Sequence, residues 1–182
     1  MDMKRALILS TAFLLFTFHF SLFTSQAQAQ VKWHTIEEAS AAKIGEKIYL
    51  VDFYTSWCGY CKKMDRETFS NPTVAKIINQ YYYPVKFNAE GDNTFTWAGT
   101  TYRRSGRIHD FARGVNGYPT IVLFHPDGSM MQSIPGFASA DEYIVILWYF
   151  ASGDYNRYPF DRYRQLFEKE IRPKMKKALS EN

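Results

Sequence analysis

Apolar and polar positions alternate in blocks along this chain, and the blocks define its elements. Thr35-Ile36-Glu37-Glu38 has the form of a capping box and predicts a short helix from Ile36 to about Lys43. Trp33, just ahead of it, reads as a packing residue. Lys47 to Tyr54 is apolar on both faces, with Ile48, Leu50 and Tyr54 on one and Tyr49, Val51 and Phe53 on the other. Such a run predicts a central strand covered on both sides. Asp52 then stands in its middle, where a carboxylate is costly to bury. Lys62 to Phe69 reads as helix, and Ser70-Asn71-Pro72 as a stop and restart, with Asn71 as cap and Pro72 at the first helical position. A helical piece Thr73 to Gln80 and a strand Tyr83 to Asn88 follow.

From Ala89 to Arg113 the pattern weakens, broken by Gly91, Gly99 and Gly106. Loops with one or two short helices are expected there, around Arg107 to Ala112. Thr120 to Phe124 is a strong strand, Pro126-Asp127-Gly128 a hairpin turn, and Ser129 to Ile134 the second strand, ended by Gly136. Ser139 or Asp141 caps a helix running to about Ala151. A final amphipathic helix, about Phe160 to Leu179, carries Tyr163, Leu166, Phe167 and Ile171 on one side, and Pro173 is expected to kink or split it. Its basic end, Lys174, Lys176 and Lys177, suits the C-terminal pole of a helix dipole.

The start of the chain changes the picture. Lys4 and Arg5 precede an almost wholly apolar run from Ala6 to Phe23, and Ala27-Gln28-Ala29 fits an A-x-A cleavage site. This predicts a signal peptide, residues 1–29, cleaved after Ala29. The competing reading is an uncleaved anchor, because the run is nearly long enough to span a membrane. Residues 30–182 then form one domain with a single sizeable core. The formal charge of +4 is modest and the basic residues are interspersed with acids. That argues against a nucleic-acid partner.

The chain has two cysteines, both in Trp57-Cys58-Gly59-Tyr60-Cys61-Lys62, directly after the predicted central strand. If a helix begins there, the sulfurs share a face and come within bonding range. The helix start also presents unpaired N–H groups and a partial positive charge to Cys58, which favours its thiolate. A zinc site normally takes four protein ligands, and His34, His109 and His125 are scattered without ligand spacing. Haem attachment needs His directly after the second cysteine, where Lys62 stands. A static disulfide closing so short a loop constrains the unfolded chain little. A two-cysteine redox centre is the favoured reading, with no metal.

The order of elements, together with Val51-Asp52-Phe53, Trp57-Cys58-Gly59-Tyr60-Cys61-Lys62, Val85-Lys86-Phe87-Asn88, Gly117-Tyr118-Pro119-Thr120 and Pro135-Gly136-Phe137, resembles the thioredoxin superfamily. The lead-in with Trp33 and Glu37-Glu38-Ala39, and Thr68-Phe69 after the helix, are similar to exported thioredoxin-related proteins of bacteria. The resemblance implies an α/β thioredoxin-like fold: a central mixed sheet flanked by helices, an insertion before the cis-proline strand and an extra C-terminal helix.

Carried over residue by residue, it implies that Cys58 attacks a substrate disulfide and Cys61 resolves the mixed disulfide. Pro119 matches the family's cis-proline, with Tyr118 and Thr120 offering backbone to an extended peptide. Asp52 matches the buried acid that accepts a proton from Cys61, and Lys86 its partner. Trp57, Tyr60 and Phe137, beside Gly136, would form an apolar rim for protein substrates. Gly59-Tyr60 departs from the Gly-Pro of cytoplasmic thioredoxins and is similar to the periplasmic disulfide isomerases, whose dimerisation domain is missing here. The segment between Asn88 and Gly117, with Phe95, Trp97, Tyr102, Arg103 and Arg104, is longer than in a minimal thioredoxin. It would either select a partner or cover an edge of the sheet.

The expectation is an exported, periplasmic thiol–disulfide oxidoreductase that reduces or isomerises protein disulfides, with apocytochrome c maturation as a variant. No nicotinamide or flavin fingerprint is present, so its electrons would come from a partner, such as a membrane thiol transporter. The only redox group expected is the Cys58–Cys61 disulfide, and no stable membrane insertion is expected after cleavage. The competing class is a thioredoxin-like binding module that senses redox state or holds a soft metal without turnover.

Overall fold

The computed structural model describes residues 29–42, 45–104 and 108–181, so the predicted leader, up to Gln28, lies outside the described residues. In chain order the elements are α1 Ile36–Ala41, β1 Ile48–Tyr54, α2 Gly59–Met64, α3 Pro72–Tyr81, β2 Tyr82–Asn88, β3 Thr94–Trp97 and β4 Thr100–Arg103. There follow α4 Ile108–Phe111, β5 Thr120–Phe124, β6 Met130–Pro135, α5 Ala140–Ala151, α6 Phe160–Leu166 and α7 Arg172–Ser180.

The doubly apolar run does form the interior strand. β1 lies parallel to β2 and antiparallel to β5, and β6 completes a mixed sheet in the order β2-β1-β5-β6. Its alternation sorts side chains between two cores. Leu50 packs with Val74, Ile78, Leu123, Tyr143, Leu147 and Phe167 beneath α3, α5 and the C-terminal helices. Tyr49, Val51 and Phe53 pack on the opposite face with Ile36, Val85, Phe87, Phe95, Trp97, Phe111 and Phe124. The two edges of the sheet differ. His34 bridges to the outer side of β2, donating its amide to Pro84 O at 3.0 Å and accepting from the Lys86 amide at 2.9 Å. β6 pairs on one side only, among the described residues.

Local chemistry fixes the helix starts. Thr35 and Glu38, and again Ser139 and Glu142, form reciprocal capping boxes, and Asn71 Oδ1 accepts the amides of Thr73 and Val74 ahead of Pro72. α1 ends at Ala41, short of Lys43. The expected break at Pro173 takes the form of a π-turn, Phe167–Ile171, just upstream of it. A second π-turn, Asp65–Phe69, follows α2 directly.

Residues 89–113 correct the sequence reading. In place of loops, β3 and β4 form an antiparallel hairpin, with Trp97 opposite Thr100 and a two-residue turn at Ala98-Gly99. Both turn residues have positive φ, 46° and 78°, as hairpin turns of this length demand. The expected short helix is present as α4. The hairpin buries Phe95 and Trp97 on a face of the sheet, not along its edge. Trp97 Nε1 donates to Gly128 O at 2.8 Å. A side chain at Gly128 would put its Cβ 2.7 Å from that of Ala98, which explains the glycine. Arg104 locks the hairpin base, with its guanidinium 4.5 Å from the Phe87 ring centre and a 2.7 Å hydrogen bond to Asn88 O.

Candidate active site

Cys58 ends the segment that leaves β1 and caps α2. Its backbone is extended (φ −71°, ψ 105°), and its Sγ accepts the Cys61 amide at 3.0 Å. One helical turn later Cys61 lies close enough for the two sulfurs to be bonded as a disulfide, with Cα atoms 5.3 Å apart. Both cysteines are buried, at 5% and 4% exposure, between Trp57 and Tyr60, which are 70% and 64% exposed. Gly59 opens the helix with free space where a side chain would stand.

The Tyr118–Pro119 peptide is cis. This loop and the segment that follows β6 approach the cysteine segment and the π-turn after α2 through three contacts. The Trp57 and Tyr118 rings meet edge to face at 6.1 Å, Tyr60 and Phe137 lie at 6.3 Å, and Thr68 Oγ1 donates to Ala138 O at 2.6 Å. Pro119 O accepts the Gly136 amide at 2.8 Å, and a depression of about 350 Å³ opens over Gly117, Tyr118, Pro119, Pro135 and Gly136. Lys63 sits 4.5 Å above the Phe137 ring. Thr120, expected to offer backbone to a peptide, is the least open of the residues expected to meet substrate. Its side chain is buried, its hydroxyl donates to Gly117 O at 2.8 Å, and its strand is flanked by β1 and β6.

Asp52 is 2% exposed, opposite Lys86 on β2 and Ile121 on β5. Lys86 Nζ donates to its Oδ2 at 2.6 Å, while Oδ1 has no hydrogen-bond partner among the described residues. Burial disfavours the ionised carboxylate more than Lys86 favours it, so the Asp52 carboxyl rises from 3.8 to about 6. Burial pulls Lys86 down, but Asp52 and Asp65 together outweigh it and hold the ammonium above its ordinary value. The Asp52 proton stabilises the fold fully below about pH 4, and that contribution is lost as pH rises through about 6. Asp52→Asn is therefore expected to raise the unfolding free energy, measured by urea titration, by on the order of 1–3 kcal/mol at pH 8 and to change it little at pH 4. A gain of equal size at both pH values would refute the burial argument.

All twelve residues expected from the sequence fall in this region. Two further acids were not anticipated. Asp65, four residues after Cys61, pairs with Lys86; the helical i,i+4 spacing puts it on the cysteine side of the helix but does not announce the partner. Glu90 accepts from the Ser56 amide at 2.6 Å and its hydroxyl at 3.1 Å, which fixes the approach to Trp57, and these bonds lower its pKa. Nothing local in the sequence marks that pairing across 34 positions. Among the described residues, no three His, Cys, Asp or Glu are grouped to hold a metal, and no helix is long and apolar enough to cross a membrane.

Comparison with known proteins agrees with this geometry. The protein disulfide isomerase-like protein 5-2 of Oryza sativa subsp. japonica is 33% identical over 89 residues, 48% of this chain and 18% of that protein. The thiol:disulfide interchange protein DsbD of Neisseria meningitidis is 26% identical over 105 residues, 57% of this chain and 15% of that protein. The chain thus spans less than a fifth of these relatives. The solution structure of a putative disulphide-isomerase from Bacteroides thetaiotaomicron superposes with a TM-score of 0.52 at 24% identity, covering 69% of this chain and 95% of that one, and shares the fold. A model of the thioredoxin-like domain matches residues 36–151. The chain belongs to the thioredoxin-like domain family.

Proposed function

We propose that this protein is an exported thiol–disulfide oxidoreductase that reduces or isomerises disulfides of client proteins through Cys58 and Cys61. The observation that carries this reading is the Cys58–Cys61 disulfide at a helix N-terminus, between two exposed aromatic rings and directly after the strand that carries a buried carboxylate. The printed names of the two relatives, a disulfide isomerase-like protein and a thiol:disulfide interchange protein, point the same way.

In the reduced protein the α2 amides and dipole stabilise a Cys58 thiolate. That thiolate attacks one sulfur of a client disulfide, the client S–S bond breaks, and one client thiolate leaves. Cys61 loses its proton to Asp52 and attacks Cys58 Sγ. The intramolecular disulfide closes and the second client thiolate is expelled. Two electrons have passed to the client, and an external dithiol must restore the pair; a membrane thiol donor is the class proposed. The Tyr118–Pro119 backbone and the rim of Trp57, Tyr60 and Phe137 would hold the client chain, with Lys86 supporting Asp52.

Export rests on the residue pattern before Gln30. The mature protein then begins at Gln30, and N-terminal sequencing of the exported form reads this directly. Turnover is tested with Cys61→Ser. With no resolving thiol, clients should accumulate as mixed disulfides on Cys58 that dithiothreitol releases. If no client is trapped while Cys58 remains alkylatable, the protein does not turn over clients, and a redox-sensing module becomes the better account.

A further inference from the structure

Lys86 is a shared cation. Its Nζ donates to Asp52 Oδ2 at 2.6 Å and also to Asp65 Oδ1. The two acids differ in setting, since Asp52 is sealed in the sheet and half of the Asp65 side chain is open to solvent. Asp65 begins the π-turn that follows α2, and its amide reaches the carbonyls of both Cys61 and Lys62. Turns of this kind widen a helix and are frequent at functional sites. The rings of Trp33, Tyr54 and Phe69 lie 4.9, 5.1 and 5.2 Å from the ammonium, turning π faces toward it.

An ammonium has three N–H donors but one charge. Divided between two carboxylates, it compensates neither in full. The groups that act on or face Asp52 are Lys86 from β2, Asp65 from the π-turn and the Tyr143 hydroxyl from α5. Among the described residues Lys86 is the one cation acting on Asp52, and the charge of Asp65 favours the neutral form of the buried acid.

We infer that Asp65 is a positioning residue for the dithiol chemistry: by sharing the Lys86 ammonium with Asp52, it keeps the buried carboxylate a good proton acceptor. This rests on the proton role proposed for Asp52. With Asp65 uncharged, Lys86 settles on Asp52 alone and favours its ionised form. Asp52 becomes the weaker base, and proton transfer from Cys61 slows.

The test follows the Asp52 carboxyl by carbon NMR in the oxidised protein, where no thiol reacts. In Asp65→Asn its titration midpoint should fall by about one pH unit, the lower end of what a closer opposite charge produces. It should hold its place in Asp65→Glu, and the fall caused by Asp65→Asn should shrink in a Lys86→Gln background. An unchanged midpoint in Asp65→Asn overturns the inference. An equal fall without Lys86 also overturns it, because Asp65 would then act through space alone. The acid limb of the turnover profile should follow the NMR midpoint downward. If the midpoint moves and the profile does not, Asp65 still governs Lys86 but the proton role of Asp52 is wrong.

Discussion

Cys58→Ser is expected to bring the reduction of a disulfide-linked peptide down to the rate of the buffer control while the protein stays folded. A serine hydroxyl does not ionise near neutral pH and forms no bond to sulfur, so the attacking group is gone. The fold should survive because position 58 caps α2, and serine is among the preferred capping residues. Its oxygen can take the Cys61 amide that Sγ accepts now. Circular dichroism beside the rate assay separates lost chemistry from lost structure. Turnover well above the control would mean that Cys61, buried one turn into the helix, attacks clients by itself, and the assignment of roles would fail.

The largest expected effect on stability comes from Phe87→Ala. Phe87 is fully buried on β2, with the rings of Phe53, Phe95 and Phe111 at 4.9, 5.0 and 5.8 Å. Phe-to-Ala changes in such cores cost about 3–5 kcal/mol, against a total stability of about 5–15 kcal/mol for a typical domain. The change also removes the ring on which Arg104 rests, so the hairpin loses an anchor. Urea unfolding should show a lowered midpoint and an unfolding free energy reduced by that amount. A loss below about 1 kcal/mol would mean that this half of the core is not packed as described.

What was legible in the sequence had short-range physics behind it. The two-sided apolar run became β1, Thr35-Glu38 and Ser139-Glu142 became capping boxes, and adjacent cysteines at three-residue spacing could hardly avoid one another. The hairpin at Thr94–Arg103 was legible too, since Thr-Phe-Thr-Trp alternates outside and inside. It was missed because its turn is Ala98-Gly99, without the Asn or Asp that usually announces such a turn. The π-turns have no pattern of their own. Phe167–Ile171 is explained by Pro173 nearby, but no sequence feature accounts for Asp65–Phe69. The bond between Lys86 and Asp65 depends on how β2 and the cysteine helix are placed in space, which local pattern does not encode.

The unequal edges of the sheet bear on how it breathes in deuterated water. Amides along β2 are paired to β1 on one side, and that of Lys86 is held on the other by the His34 carbonyl. They should exchange only when a large part of the molecule opens. Every other amide of β6 points away from β5 toward a margin that no strand pairs among the described residues, and those protons should be replaced first. The sheet's exchange front would thus advance from the side remote from Lys86, leaving the strand pair that holds the Asp52 carboxyl as the last to give up its hydrogens.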